Sequence, residues 1–139
     1  MTAGAPSTVA LPAAMRDWIT AHATTLAPRE CCGIISGRSG DFGEVIELTN
    51  VEPGIDRYRV DDTELFHIYQ ALDQRGDDLV AIYHSHPNSP AYPSATDVDL
   101  AVWSEVVYLV CSLERPDHPS LRAFRIVGGT NTELSITLT

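Results

Sequence analysis

In residues 81–101, AIYHSHPNSPAYPSATDVDLA, two histidines stand two apart at the end of an apolar run, and a proline-rich loop separates them from Ser94 and Asp97. On an extended strand, residues two apart project to one face with Cα atoms roughly 6.5–7 Å apart, so the imidazoles of His84 and His86 point the same way. Two imidazoles so placed can converge on one ion. Asp97 falls just inside a following helix, and the prolines of the intervening loop limit the entropy lost when it folds back. Two nitrogens and one carboxylate oxygen leave one position of a zinc tetrahedron for water, which separates catalytic from structural zinc sites. Each residue alone has a plainer reading: a hydrogen-bonded pair for His84 and His86, a helix-start carboxylate for Asp97, a cap for Ser94. Their joint occurrence favours the metal.

A hydrolytic site of this kind also needs a carboxylate to take a proton from water and deliver it to the leaving amine. Glu30, which opens ECCGII, is the best candidate, although a glutamate beside an apolar run is ordinarily left at the solvent edge. Glu64 and Glu105 compete less well, one explained by a helix start and the other by a loop. A rival reading makes Cys31 or Cys32 a thiol nucleophile, but free cysteine in an isoleucine-rich strand is usually a small core residue. Cys111 in YLVCSL reads as core too, and His22, His67 and His118 have no partner spacing.

The elements that position these residues follow from periodicity. Leu11, Met15, Trp18, Ile19, His22 and Leu26 fall at helical spacing, with Pro12 suited to a first turn and Pro28 marking a stop. A second helix spans DDTELFHIYQALDQRG: Asp61 or Asp62 caps it, and Leu65, Phe66, Tyr69 and Leu72 form the apolar stripe that ends near Gly76. ECCGIISG and EVIELTNV read as paired strands, RYRV as a third, LVAIYHSH as a buried strand, and VVYLVCSL, LRAFRIV and ELSITL as three more. SATDVDLAVW is a short helix capped by Ser94 or Thr96. An α/β domain with a mostly antiparallel or mixed sheet flanked by helices is expected over residues 11–139, with residues 1–10 frayed.

Composition narrows the function. The 139 residues, 44% hydrophobic, suit one compact domain. Nine arginines and no lysine stand against nineteen acidic residues, for a net charge of −10, which repels nucleic acid and anionic membrane surfaces. No apolar run approaches the ~18 residues of a membrane span, and the start of the chain lacks the features of a signal peptide. The three cysteines are an odd number with two adjacent, so reduced thiols and a cytoplasmic location are expected.

Glu30, then His84-Ser85-His86-Pro87, then Ser94-Ala95-Thr96-Asp97 resembles the JAMM (MPN+) metalloprotease motif, and the likeness runs over nearly the whole chain. It implies that His84, His86 and Asp97 bind Zn2+, that Glu30 is the general acid/base, and that Ser94 stabilises the tetrahedral oxyanion. It also implies a cytidine-deaminase-like fold, a curved sheet with helices on both sides. Within the family the chain is most similar to the small bacterial peptidases of sulfur carrier proteins, through ECCGIISG and AYPSATDV. The implied partner is a ubiquitin-like sulfur carrier whose C-terminal Gly-Gly is followed by cysteine or a short tail. Three alternatives stand beside this reading: a prokaryotic deubiquitinase-like isopeptidase, a non-catalytic MPN scaffold, and a zinc hydrolase of small amides. Monomer and homodimer are both compatible with the sequence. Arg57 or Arg59 is a candidate for a substrate carboxylate, and Tyr92 either flanks the Gly-Gly channel or packs its own loop.

Overall fold

The computed structural model describes residues 7–139. In chain order the elements are β1 (Thr8–Leu11), α1 (Ala13–Leu26), β2 (Cys32–Arg38), β3 (Asp41–Leu48), α2 (Asp62–Arg75), β4 (Asp78–His86), α3 (Ala95–Leu100), β5 (Val107–Ser112), β6 (Ser120–Val127) and β7 (Thr130–Leu138). The strands form one curved, mixed sheet in the order β1-β7-β6-β5-β4-β2-β3. Pairs β1/β7 and β4/β5 are parallel and the others antiparallel. A parallel pair needs a crossover, and the connection from β4 to β5 is the stretch containing α3.

The alternation of side chains along β4 sets the architecture. Ala81 and Tyr83 join Ile19 and Ala23 of α1, Cys31 and Ile35 in one apolar cluster, while Ile82 joins Leu72 of α2, Cys32 and Ile34 in another. The sheet is thus buried on both faces. His84 and His86 share the parity of Ile82, so both face the side that carries α2. Val80–His86 is buried throughout, because β4 lies between β2 and β5.

Local chemistry explains the helix boundaries. Asp61 caps α2 by accepting from the Glu64 N–H, and Gly76 ends it in the left-handed region at φ 72°. Pro12 stands at the cap position of α1, one residue before the first turn. The inner face of α2 is the buried Leu72 with the half-buried Leu65 and Ile68, and Phe66, expected in the apolar stripe, is exposed.

Three expectations need correction. Residues 8–10, expected frayed, belong with Leu11 to β1, which lies parallel on β7 with Val9 and Leu11 buried. Leu11 is therefore a strand residue, and α1 begins after Pro12; the rest of the expected frayed segment, residues 1–6, lies outside the described residues. RYRV is not a strand: only Val60 makes an isolated bridge, to Asn50. There the Asn50 side chain takes the Arg59 N–H and the Arg57 carbonyl, which are thereby spent on a side chain in place of a ladder.

Candidate metal centre

The site forms where the C-terminal end of β4 meets the N-terminus of α3. His84 and His86 are almost fully buried, and their Nε2 atoms lie 3.1 Å apart. Asp97 Oδ2 approaches His84 Nε2 at 3.0 Å and His86 Nε2 at 3.1 Å. Donors on a tetrahedral ion with bonds of about 2.0–2.1 Å sit about 3.3 Å from one another, close to this triangle. Two imidazole nitrogens and a carboxylate oxygen at these separations fit a divalent metal.

Each donor is aimed by its own support. His86 Nδ1 donates to the Pro90 carbonyl at 2.8 Å, which fixes the ring with Nε2 facing His84 and Asp97. Ser112 donates to the Ser89 carbonyl, holding the loop that supplies Pro90. Asp97 occupies the third position of α3 in a capping box: its N–H donates to Ser94 Oγ at 3.0 Å, and its Oδ2 accepts from the Ser94 N–H at 2.8 Å. Ser94, not Thr96, is thus the cap. Tyr58 stacks on His84 with ring centroids 4.7 Å apart and an interplanar angle of 22°.

Glu30 lies just before β2 and is 4% exposed, so it does not stand at a solvent edge. One of its carboxylate oxygens lies within 4.8 Å of ring nitrogens on His84 and His86, and Glu30 Oε1 is buried without a hydrogen-bond partner. Two carboxylates thus flank the histidine pair at different range. Asp97 touches both imidazoles, whereas the Glu30 carboxylate makes no hydrogen bond to either.

Electrostatics divide the two acids further. Burial pushes the Glu30 carboxyl up to about 7, with His86 opposing and Asp97 and Asp56 adding to the rise. Burial also works against charge on Asp97, but hydrogen bonds to both imidazoles hold it well below the usual carboxylate range. For His86 burial lowers the pKa, yet its contacts with Asp97 and the Pro90 carbonyl leave it raised. Two carboxyls pushed apart in this way suit different tasks, one a constant anion and the other a proton carrier.

The other sequence candidates scatter. Cys31 and Cys32 are free and buried, and burial pushes both thiols up to about 12, far from thiolate chemistry. His22 lies on the buried face of α1 against the Tyr83 hydroxyl, 2.7 Å from Nδ1. Glu64 is bound to the N–H and hydroxyl of Thr49, away from the histidine pair. Tyr92 packs edge-on against Phe124 with Arg122 over its ring, so it anchors its own loop. Arg57 lines a recess with Ser94 and Asp97, and Arg59 is exposed. Tyr58 and Asn50 were not singled out by sequence; only the aromatic inside DRYRV signalled the first.

Comparison with known proteins defines the class. A family model described as prokaryotic homologs of the JAB domain matches residues 12–127, and the chain belongs to that family. It is a JAMM-type hydrolase: its relatives carry hydrolytic activities in their names. The CysO-cysteine peptidase of Mycobacterium tuberculosis is 39% identical over 117 residues, 83% of this chain and 80% of that protein. The desampylase of Haloferax volcanii is 37% identical over 138 residues, 94% of this chain and 96% of the relative. A probable TtuB-protein conjugate cleaving protease of Thermus thermophilus is 34% identical, over 91% of this chain and 81% of its own length. Among solved structures, protein DSY2949 of Desulfitobacterium hafniense superposes with a TM-score of 0.83 at 30% identity, covering 94% of this chain and 92% of that one. The JAB1/MPN domain protein AF2198 of Archaeoglobus fulgidus, at 18% identity and a TM-score of 0.58 over 93% and 98% of the chains, shares the fold. No helix among the described residues is long and apolar enough to cross a membrane.

Proposed function

We propose that this chain is a zinc metallopeptidase that hydrolyses the bond after the C-terminal Gly-Gly of a ubiquitin-like sulfur carrier protein, releasing cysteine or a short tail in the cytoplasm. The observation that carries the reading is the triangle of His84, His86 and Asp97 with the buried Glu30 carboxylate within 4.8 Å of the histidine nitrogens. His84, His86 and Asp97 would hold the zinc. When bound, it supplies Lewis acidity that polarises an amide carbonyl and acidifies a water.

The residues of the chain do the remaining work. Glu30, whose carboxyl is pushed up to about 7, accepts a proton from the attacking water and passes it to the departing nitrogen. Ser94 Oγ accepts from the Asp97 N–H, so its own hydroxyl proton is free to donate to the oxyanion that develops on the carbonyl. Ser94 is exposed, and a substrate can reach it. The Pro90 carbonyl and the Ser94 N–H keep His86 and Asp97 aimed without rearrangement during turnover.

The substrate class is supported by the relative named a CysO-cysteine peptidase. The desampylase, alike over more of the chain, favours a second reading in which the scissile bond is an isopeptide to another protein. Zinc-loaded protein is to be given three substrates: a carrier ending Gly-Gly-Cys, a carrier joined to a lysine side chain, and small acyl-amino acids. Release of cysteine that EDTA stops and zinc restores is expected. Cleavage of the lysine conjugate alone selects the isopeptidase, and cleavage of only small amides refutes the carrier.

A further inference from the structure

Asn50 follows β3 and is a polar side chain only 6% exposed. Its carboxamide has two N–H donors and one oxygen with two lone pairs, and all four are engaged. Nδ2 donates to the carbonyls of Glu30 at 2.9 Å and Arg57 at 3.3 Å. Oδ1 accepts from the N–H groups of Glu52 at 2.9 Å and Arg59 at 3.0 Å. Two carbonyls on one side and two N–H groups on the other permit a single orientation of the amide. The segment 51–59 is thereby closed into a strap whose two ends rest on one side chain. Val51 N–H donates to the Arg59 carbonyl at 2.8 Å, and the Arg29 guanidinium donates to the carbonyls of Asn50 and Glu52.

The strap carries Tyr58, the ring stacked on His84. One buried carboxamide therefore joins the backbone of Glu30 to the aromatic ring that packs on His84. Asn50 itself makes no hydrogen bond to His84, His86 or Asp97.

We propose that Asn50 is the positioning residue of the metal centre, its carboxamide holding Glu30 by the carbonyl on one side and the Tyr58 strap on the other, so that the Glu30 carboxylate keeps its distance from the His84 imidazole. The proposal rests on the roles given to Glu30 and His84 under the proposed function. A misplacement of about 1 Å at a reacting group can cost about 100-fold in rate, so a tie of this kind is felt in turnover.

The test uses zinc-loaded wild type, Asn50→Ala and Asn50→Asp, with amide hydrogen exchange by NMR, zinc release to a chelator, and turnover of the carrier ending Gly-Gly-Cys. In Asn50→Ala the amides of Glu52 and Arg59 lose their acceptor and exchange at least about tenfold faster, while those of β2 and β4 keep their rates. Zinc is released faster as the Tyr58 ring loosens from His84, and kcat falls about 10–100-fold with KM changed less, the cost of a misplacement approaching about 1 Å at Glu30. Asn50→Asp keeps both accepted bonds and loses both donated ones, so strap exchange stays near wild type while kcat still falls. Wild-type kcat and zinc release in Asn50→Ala, despite fast strap exchange, would overturn the proposal, as would wild-type kcat in Asn50→Asp. Should Asn50→Ala not fold, the near-isosteric Asn50→Asp decides alone. Exchange and zinc release need no substrate: a wild-type protein inert toward the carrier refutes the substrate assignment, and those two readouts still decide for Asn50.

Discussion

Gly33, in the ECCGII strand, lies directly across from Tyr83, the residue before His84. A Cβ at Gly33 would fall 2.3 Å from Tyr83 Cε2 and Cζ and 2.4 Å from its hydroxyl oxygen. Tyr83 cannot swing aside, since it is fully buried and its hydroxyl is held 2.7 Å from His22 Nδ1. Gly33→Ala must therefore push the ring, break that bond, or separate β2 from β4. Overpacking costs about 1–3 kcal/mol, and a buried polar pair left unmatched about 1–3 more. Against these stands a gain of about 0.4–1 kcal/mol from the stiffer unfolded chain. The net loss is about 1–5 kcal/mol, which for a chain of this size lowers Tm by about 4–20 °C. Thermal unfolding followed by circular dichroism reads it directly. A variant melting within about 2 °C of wild type would refute the close-packing argument, because no other term here is large enough to cancel it.

Further predictions concern the site and the pH. Glu30→Gln keeps one zinc per chain by metal analysis but loses about 10²–10⁴ in kcat, whereas His84→Ala loses metal and turnover together; a fully active Glu30→Gln would remove the proton-carrier role. Ser94→Ala costs about 0.5–2 kcal/mol as a lost cap and about 10²–10³ in kcat as a lost oxyanion donor, and a stability loss with unchanged kcat would leave Ser94 a cap only. Burial lowers the pKa of His22, with Glu47 opposing, so the folded state prefers the neutral ring. Its contribution is complete above the unfolded pKa of about 6.5 and is lost as pH falls below that value, where the unfolded chain takes up a proton first. The Tm of zinc-loaded protein should thus drop more steeply between pH 7 and 5.5 in wild type than in His22→Gln; equal slopes would contradict this.

What the sequence made legible follows how local each signal was. His84, His86, Ser94 and Asp97 lie within fourteen residues on one strand, one loop and one helix start, so strand parity and a capping pattern were enough to foresee that they meet. Glu30 was reached as the best available carboxylate and through the motif, but its burial beside the pair depends on β2 pairing with β4 across more than fifty residues, which spacing did not show. β1 escaped notice because its partner, β7, lies at the far end of the chain and no hairpin turn announces the pairing. RYRV has strand-like composition, but one asparagine side chain took up the groups a ladder would have used. Tyr58 and Asn50 act through contacts between segments, a kind of information that spacing does not carry.

The capping box at α3 makes one carboxylate serve two masters. Asp97 Oδ2 both terminates the helix at the Ser94 N–H and reaches the imidazoles. Glutamate satisfies the same box from the same position, so a single methylene at residue 97 would leave the helix content and shift the oxygen away from the rings. Foldability tolerates either acid there, and only coordination discriminates between them. Natural variation at that position would therefore report on selection for the ion, unconfounded by selection for the fold.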